Sequence, residues 1–210
     1  ALITDKVEYR NLTLAIVDEQ HRFGVRQRAA LLGKGNPDLL VMSATPIPRS
    51  LALTIYGDLD ITEIRQLPAH RQPVDTRLIH PNRRADVYRY VLSRVQQGEQ
   101  AYVVFPLVEE SEHVDLKAAV QEMEELRKGL LAEARVGLIH GQMGREKEEV
   151  FQAFARGELD VLIATTVVEV GMNVPNATVM VIENAERFGL AQLHQLRGRV
   201  GRGKKPGICF

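Results

Sequence analysis

Short apolar runs alternate along the chain with longer segments of helical periodicity. The runs are continuously apolar, which is typical of strands that are buried on both faces of a parallel sheet. The pattern predicts strands at 12–17, 39–42, 101–105, 136–139, 161–164 and 179–182, and a last strand that starts at Ile208.

Three segments between these strands carry a single apolar stripe at helical spacing. They are residues 83–97, 115–128 and 145–156. Gly98 and Gly157 follow the first and the last of them, where a glycine commonly closes a helix. Because strands and helices alternate, the sequence predicts an α/β fold with a parallel sheet and right-handed crossovers.

A polar segment with two prolines, residues 66–73, interrupts this order. Prolines among polar residues are typical of linkers, although an ordinary surface loop has the same composition. We predict a first lobe over residues 1–67, a linker over 68–73 and a second lobe over 74–210. The first lobe is short for a complete α/β domain, so we expect the chain to be a piece of a longer protein.

The composition excludes several classes of protein. Of the 210 residues, 45% are hydrophobic and 26% are charged, as in ordinary globular proteins. The single cysteine, Cys209, excludes an internal disulfide framework, and no apolar run approaches the ~18 residues of a membrane span. Lys and Arg number 27, as do Asp and Glu, so the net charge neither supports nor excludes a nucleic-acid partner.

An acidic segment, Asp18-Glu19-Gln20-His21, directly follows the first predicted strand. The carboxyl ends of strands in an open parallel sheet face the ligand crevice. One carboxylate there can hold a magnesium ion, and the other can orient an attacking water. The alternative is a solvated strand end whose acids only keep the surface polar.

Hydroxyl side chains follow two further strands. Ser43 and Thr45 come after the second strand, and Thr165 and Thr166 come directly after the strand at 161–164. Such groups can hydrogen-bond between strand ends. The alternative is a plain helix N-terminus after Ser43 and a structured turn that uses Gly171 after Thr166.

Three polar side chains near the C-terminal end share a helical spacing. Gln195, Arg199 and Arg202 are spaced i, i+4 and i+7, which predicts one face of a helix. Gly198 and Gly201 would each cost such a helix about 1 kcal/mol relative to alanine, which indicates close approach of another surface or the end of the helix. Guanidinium groups in an array suit a phosphoryl group, whereas the alternative is a basic helix that faces solvent or nucleic acid.

Taken in order, these motifs resemble superfamily 2 helicases and translocases, from the second helicase motif to the sixth. The segments 18–25, 43–49 and 183–192 are similar to the RecG family of bacterial ATP-dependent DNA helicases. The transcription-repair coupling factors share much of the pattern, but they usually have Glu-Gln where this chain has Gln20-His21.

The resemblance implies two RecA-like parallel-sheet lobes, the first incomplete, that use ATP and Mg²⁺. Asp18 would hold Mg²⁺ through water, Glu19 would activate the hydrolytic water, and His21 would couple the nucleotide site to the cleft between the lobes. Gln195, Arg199 and Arg202 would face the γ-phosphate, with Arg202 as the arginine finger.

The remaining motif residues would lie between nucleotide and DNA. The resemblance assigns coupling to DNA to Ser43, Thr45, Thr165, Thr166 and Glu169, and a place near the nucleotide to Gly171 and Asn173. Asn173 departs from the family, which more often has Asp there, so a ribose or arginine contact by this residue is in doubt.

The resemblance implies ATP-driven remodelling of branched double-stranded DNA, such as stalled forks and Holliday junctions, in recombination and repair. It places the protein in the bacterial cytoplasm with no membrane partner. A transcription-repair translocase and a non-catalytic nucleic-acid-binding scaffold remain as alternatives. The sequence contains no Gly-x-x-x-x-Gly-Lys-Ser/Thr phosphate loop, so we expect this piece alone not to hydrolyse ATP.

Overall fold

The computed structural model describes residues 7–18, 30–43, 60–64, 66, 73–106, 112–165 and 174–210, with the backbone alone over 112–118. The chain divides into two compact units, Ala1–Glu63 and Ile64–Phe210.

The described part of the first unit contains two parallel strands, β1 (Leu14–Val17) and β2 (Asp38–Val41). Alternate residues of β1 are buried: Ala15 and Val17 pack with Leu31, whereas Leu14 and Ile16 are 52% and 58% exposed. The prediction that the strands are buried on both faces is therefore wrong for β1. A continuous apolar run has two apolar faces, but burial also requires a packing layer on each face.

The second unit is built around a sheet of six parallel strands in the order β3-β8-β7-β4-β6-β5. The strands are β3 (Asp75–Thr76), β4 (Gln100–Phe105), β5 (Val136–Ile139), β6 (Val161–Thr165), β7 (Ala177–Ile182) and β8 (Ile208–Cys209). Every residue of β4 and β6 is buried, as the apolar runs 101–105 and 161–164 predict, and the polar residues Gln100 and Thr165 at their ends are buried as well.

Helices cover both faces of this sheet. They are α1 (Arg84–Gln96), α2 (Glu112–Lys128), α3 (Glu146–Ala155) and α4 (Leu190–Arg197), and 3₁₀ turns lie at Pro81–Arg83 and Ala185–Arg187. Val87 of α1 and Met123 of α2 belong to one core cluster, and Phe151 of α3 and Leu196 of α4 belong to the other. This three-layer arrangement confirms the predicted α/β class.

Two glycines end helices as predicted. Gly98 and Gly157 both have φ +76°, a left-handed conformation that closes α1 and α3. The strand β3 escaped prediction because it is short, polar and exposed at the edge of the sheet. Among the described residues, no helix has the length and apolar character needed to cross a bilayer.

Candidate functional site

The helix that carries Gln195 ends before the two arginines of the motif. α4 stops at Arg197, and the Gly198 N–H donates to the His194 carbonyl at 3.0 Å as the C-cap. The prediction that Gln195, Arg199 and Arg202 share one helical face is therefore wrong. The alternative that the helix ends at these glycines is confirmed: Gly198 is the C-cap of α4, and Gly201, with φ +68°, lies in the loop beyond it.

Residues 198–207 form a compact connection between α4 and β8, which we call the arginine loop. Val200 is fully buried, and the Gly201 N–H donates to the Ala177 carbonyl at 3.3 Å. A Cβ atom at Gly201 would lie 2.9 Å from the Gly207 nitrogen, so the two ends of the loop approach too closely for a side chain. The Gly207 carbonyl accepts the Asp75 N–H at 3.0 Å, which joins the loop to β3.

Arg199 and Arg202 of the loop both affect the pKa of Tyr102, a core residue of β4. Burial raises the pKa of the Tyr102 hydroxyl to about 12, and the positive charges of Arg199 and Arg202 oppose this rise. Arg202 is exposed, and its Nε donates to the Gly198 carbonyl at 2.8 Å. The charges of both arginines therefore act at Tyr102 of β4, and guanidinium groups can bind an anionic phosphoryl group.

The arginine loop also touches the segment that leads into β7. A Cβ atom at Gly203 would lie 2.3 Å from the Pro175 carbonyl oxygen, so the two backbones are in direct contact. Because the nearest atom belongs to the backbone, no side chain can move aside to make room for a Cβ atom at Gly203. Gly203 is therefore required for the loop to lie against residues 174–176.

A buried carboxylate lies at the start of β4, beside the same loop. Glu99 is 1% exposed and contacts Arg94 of α1 at 2.7 Å, Lys205 of the arginine loop at 2.9 Å, and the Thr178 hydroxyl of β7. Burial would raise the pKa of Glu99, but the hydrogen bonds from Thr178 and Lys205 and the charge of Arg94 lower it below its usual value. Glu99 was not among the predicted site residues, because its partners Thr178 and Lys205 are distant from it in the sequence.

Two buried polar atoms at the carboxyl edge of the sheet have no hydrogen-bond partner in the part of the chain that the structure describes. They are Thr165 Oγ1, at the end of β6, and His140 Nδ1, directly after β5. Ile139 pairs with Ala164, so the two residues that follow are neighbours at this edge. Buried polar atoms without partners are rare, and a bound water, an ion or a functional role is the usual explanation.

An ion-pair network fixes the turn from β7 into α4. Arg84 Nε donates to Glu183 Oε1 at 2.8 Å, and its Nη2 contacts Glu122 at 2.9 Å. The Tyr88 hydroxyl donates to the same Glu183 oxygen, and burial followed by the charge of Glu183 raises the pKa of Tyr88. Asn184, the next residue, takes a left-handed φ of +49°. The beginning of the segment 183–192 is thereby held against α1.

In the first unit, two candidate residues follow neighbouring strands at the same edge. Asp18 directly follows β1, and Ser43 lies two residues after the end of β2; both are exposed. The Met42 N–H donates to the Val17 carbonyl at 2.8 Å, which continues the pairing to this edge. The other candidates lie outside the described residues: Glu19, His21, Thr45, Thr166, Glu169, Gly171 and Asn173.

A mainly apolar groove of about 340 Å³ lies between α4 and the end of β8. Leu190 and Leu193 line it from α4, and Cys209 and Phe210 from the sheet. Burial raises the pKa of the Cys209 thiol to about 11, so this side chain is uncharged at neutral pH. Neither Arg199 nor Arg202 lines the groove.

Comparison with known proteins gives matches over the whole chain. Residues 83–204 match the family described as the helicase conserved C-terminal domain. The ATP-dependent DNA helicase RecG of Thermotoga maritima is 55% identical over 212 residues, which cover 100% of this chain and 27% of the relative. The protein of the same name from Synechocystis sp. is 53% identical, with coverages of 100% and 26%.

Solved structures agree with these matches. The structure of RecG bound to a three-way DNA junction aligns with a TM-score of 0.75 and 49% identity, covering 100% of this chain and 27% of that chain. Dbp5 of S. cerevisiae bound to RNA and ADP BeF3 aligns with a TM-score of 0.60 over 94% of this chain and 52% of that chain. At 18% identity this second likeness shows the fold alone, and it confirms the RecA-like α/β class.

The chain spans about a quarter of the length of these RecG relatives. The domain match covers more than half of the chain and includes the arginine loop up to Lys204. The chain belongs to the family that carries the helicase conserved C-terminal domain, and over its whole length it corresponds to a segment of RecG-type ATP-dependent DNA helicases.

Proposed function

We propose that this chain is the motor segment of an ATP-dependent helicase that remodels branched double-stranded DNA in recombination and repair. The observation that carries the proposal is the similarity, at about half identity over the full chain, to proteins named ATP-dependent DNA helicase RecG. A solved relative is bound to a three-way DNA junction, which supports branched DNA as the substrate class. Because the relatives are about four times longer, the activity is assigned to the complete gene product.

The acidic residues of the first unit are assigned to ATP hydrolysis with Mg²⁺. Asp18 is an exposed carboxylate directly after a strand, and Mg²⁺ prefers oxygen ligands together with water and substrate phosphates. Bound Mg²⁺ would neutralise phosphate charge, Glu19 would orient the attacking water, and His21 would relay the nucleotide state.

The polar groups of the second unit are assigned to the γ-phosphate. The charges of Arg199 and Arg202 both act on the pKa of Tyr102, which supports assigning both side chains to one phosphoryl group. Gln195 lies on α4, close in sequence to the loop, and Gly171 and Asn173 are assigned to the nucleotide by their motif. Arg202 is exposed and hydrogen-bonded to the backbone of its own loop, which suits an arginine finger.

Hydroxyl and acidic residues at strand ends are assigned to coupling between hydrolysis and DNA. They are Ser43, Thr45, Thr165, Thr166 and Glu169. The buried Thr165 hydroxyl has no protein partner among the described residues, so it is available to accept or donate a hydrogen bond when a ligand binds. A bacterial cytoplasmic location, where this DNA is found, is part of the same proposal.

Two alternatives fit the sequence less well. A transcription-repair coupling translocase would share the motor, but the full-length similarity is to proteins named RecG. A scaffold without catalysis would have no need for an acid pair and an arginine loop held by several independent contacts.

The test uses the complete gene product with ATP, Mg²⁺ and two substrates of equal length, a three-way DNA junction and a linear duplex. We expect DNA-stimulated ATP hydrolysis and strand separation on the junction, and loss of both in Glu19→Gln. The 210-residue chain alone is expected to show no turnover. Wild-type junction binding without hydrolysis would favour the scaffold, and ATP-dependent displacement of a stalled RNA polymerase without junction unwinding would favour the coupling translocase.

A further inference from the structure

An ion pair between Lys205 and Glu99 connects the arginine loop to the sheet, and neither residue belongs to the motif of Gln195, Arg199 and Arg202. Lys205 Nζ lies 2.9 Å from Glu99 Oε1, across 106 residues of sequence. The Glu99 side chain is 1% exposed, whereas that of Lys205 is 49% exposed. A flexible surface lysine is thus attached to a buried, immobile carboxylate, unlike a pair of two mobile surface side chains.

Charge balance alone does not require Lys205. Arg94 of α1 already contacts Glu99 at 2.7 Å, and the Thr178 hydroxyl of β7 donates to the same carboxylate. These two partners belong to the helix and the strand that pack around β4. Of the three partners, only Lys205 belongs to the arginine loop.

Arg202 lies between two attachment points of the loop. On one side, Val200 is fully buried and the Gly201 N–H bonds to the Ala177 carbonyl. On the other side are the contact of Gly203 with the Pro175 carbonyl and the Lys205 contact with Glu99. The backbone that carries Arg202 is therefore fixed before and after the exposed guanidinium, and a fixed donor stabilises developing charge without reorganisation.

We propose that Lys205 is a positioning residue for ATP hydrolysis: its ion pair with Glu99 holds the arginine loop so that Arg202 meets the γ-phosphate. The inference rests on the proposed function, because it assigns Lys205 a role only through Arg202. Lys205 itself is not expected to touch the nucleotide.

The test compares Lys205→Met with Lys204→Met in the complete gene product. Lys204 is an exposed neighbour for which the structure gives no ion pair, so it controls for the loss of one positive charge. We expect Lys205→Met to lower kcat for DNA-stimulated ATP hydrolysis by about ten- to hundredfold, as for a misplaced catalytic group. The KM for ATP is expected to stay within about twofold, because ground-state binding does not depend on this contact. Lys205→Arg keeps a cation within reach of Glu99 and is expected to restore most of kcat.

A double-mutant cycle separates positioning from general damage. In an Arg202→Ala background, Lys205→Met is expected to cause no further loss, because the residue acts through Arg202. An equal kcat for the Lys205→Met and Lys204→Met proteins would overturn the proposal, as would a full additional loss in the Arg202→Ala background.

Hydrogen exchange of the loop amides at 199–207 gives a reading that does not depend on activity. Exchange is expected to be faster in Lys205→Met than in Lys204→Met. Equal rates would contradict the proposal that the ion pair with Glu99 holds the loop. A wild-type protein without ATP turnover would count against the proposed function, while the exchange comparison would still decide whether Lys205 holds the loop.

Discussion

Replacing Glu99 by glutamine removes the buried negative charge at the start of β4 while keeping nearly the same shape. Two cations then lose their common anion: Arg94, whose side chain is 23% exposed, and Lys205, at 49%. The glutamine amide can still accept one of the former hydrogen bonds. We expect the variant to fold and to be less stable.

The size of the effect follows from the exposure of each partner. Breaking a fully buried ion pair costs about 3–5 kcal/mol, and a hydrogen bond to a charged group contributes about 1.5–3 kcal/mol. Arg94 and Lys205 both reach water, so the lower range applies, and we expect a loss of about 2 kcal/mol in the free energy of unfolding. With a urea m-value of about 1–3 kcal/mol/M, the midpoint would fall by about 1 M.

The stability difference between wild type and Glu99→Gln should depend on pH in a defined direction. The pKa of Glu99 in the folded protein is lowered from its ordinary value of 4.5. The ionised carboxylate therefore stabilises the fold at pH values above its unfolded pKa, and this contribution is lost as the pH falls through the folded pKa. The stability difference between wild type and Glu99→Gln should be full at pH 7 and should shrink below about pH 4.5.

Urea unfolding of the second unit, followed by near-ultraviolet circular dichroism of the buried Tyr88 and Tyr102, measures this difference. The matched control is Glu158→Gln, because Glu158 pairs with Arg156 at 2.7 Å but both side chains are more than half exposed. We expect no measurable change for the control, since exposed pairs contribute little. Equal midpoints for wild type and Glu99→Gln at pH 7, or a difference that grows in acid, would refute the reasoning.

Three further predictions test neighbouring parts of the structure. Gly203→Ala places a Cβ atom 2.3 Å from the Pro175 carbonyl and should lower the free energy of unfolding by about 1–3 kcal/mol in thermal or urea unfolding; an unchanged midpoint would contradict the contact. The Cys209 thiol, with its raised pKa of about 11, should react slowly with a disulfide reagent at neutral pH in the native protein and rapidly in denaturant; fast native labelling would show that the thiol is not buried. Thr165→Val should leave the free energy of unfolding unchanged or slightly raised, because the hydroxyl has no partner among the described residues. DNA-stimulated ATP turnover should fall. A marked loss of stability would show that the hydroxyl is hydrogen-bonded in the folded protein.

The sheet of the second unit was predictable because its strands have a simple signal. A fully buried parallel strand reads as an uninterrupted apolar run, so β5 was predicted with the observed bounds and β4 to within one residue. The same signal misled at β1, where Leu14 and Ile16 are exposed although the run is equally apolar. The sequence of a strand shows which of its faces are apolar, whereas burial of a face depends on whether another element packs against it.

The candidate site was only partly visible in the sequence. Helical spacing predicted one face for Gln195, Arg199 and Arg202, but the helix ends at Arg197, and both arginines lie in the loop that follows it. The Glu99 network lay beyond prediction, because Thr178 and Lys205 are 79 and 106 residues away along the chain. Local patterns identify which residue types are present, and long-range contacts determine which of them work together.

The most direct test of the central claim separates ATP hydrolysis from DNA binding in Arg202→Ala, using the complete gene product and a three-way DNA junction. An arginine finger contributes about 10³–10⁵ to the rate of phosphoryl transfer, so junction-stimulated turnover should fall by at least about 10³. The junction Kd should stay within about twofold of wild type, because the residue is assigned to phosphate rather than DNA. Retained turnover, or an equal loss of turnover and junction binding, would contradict the account.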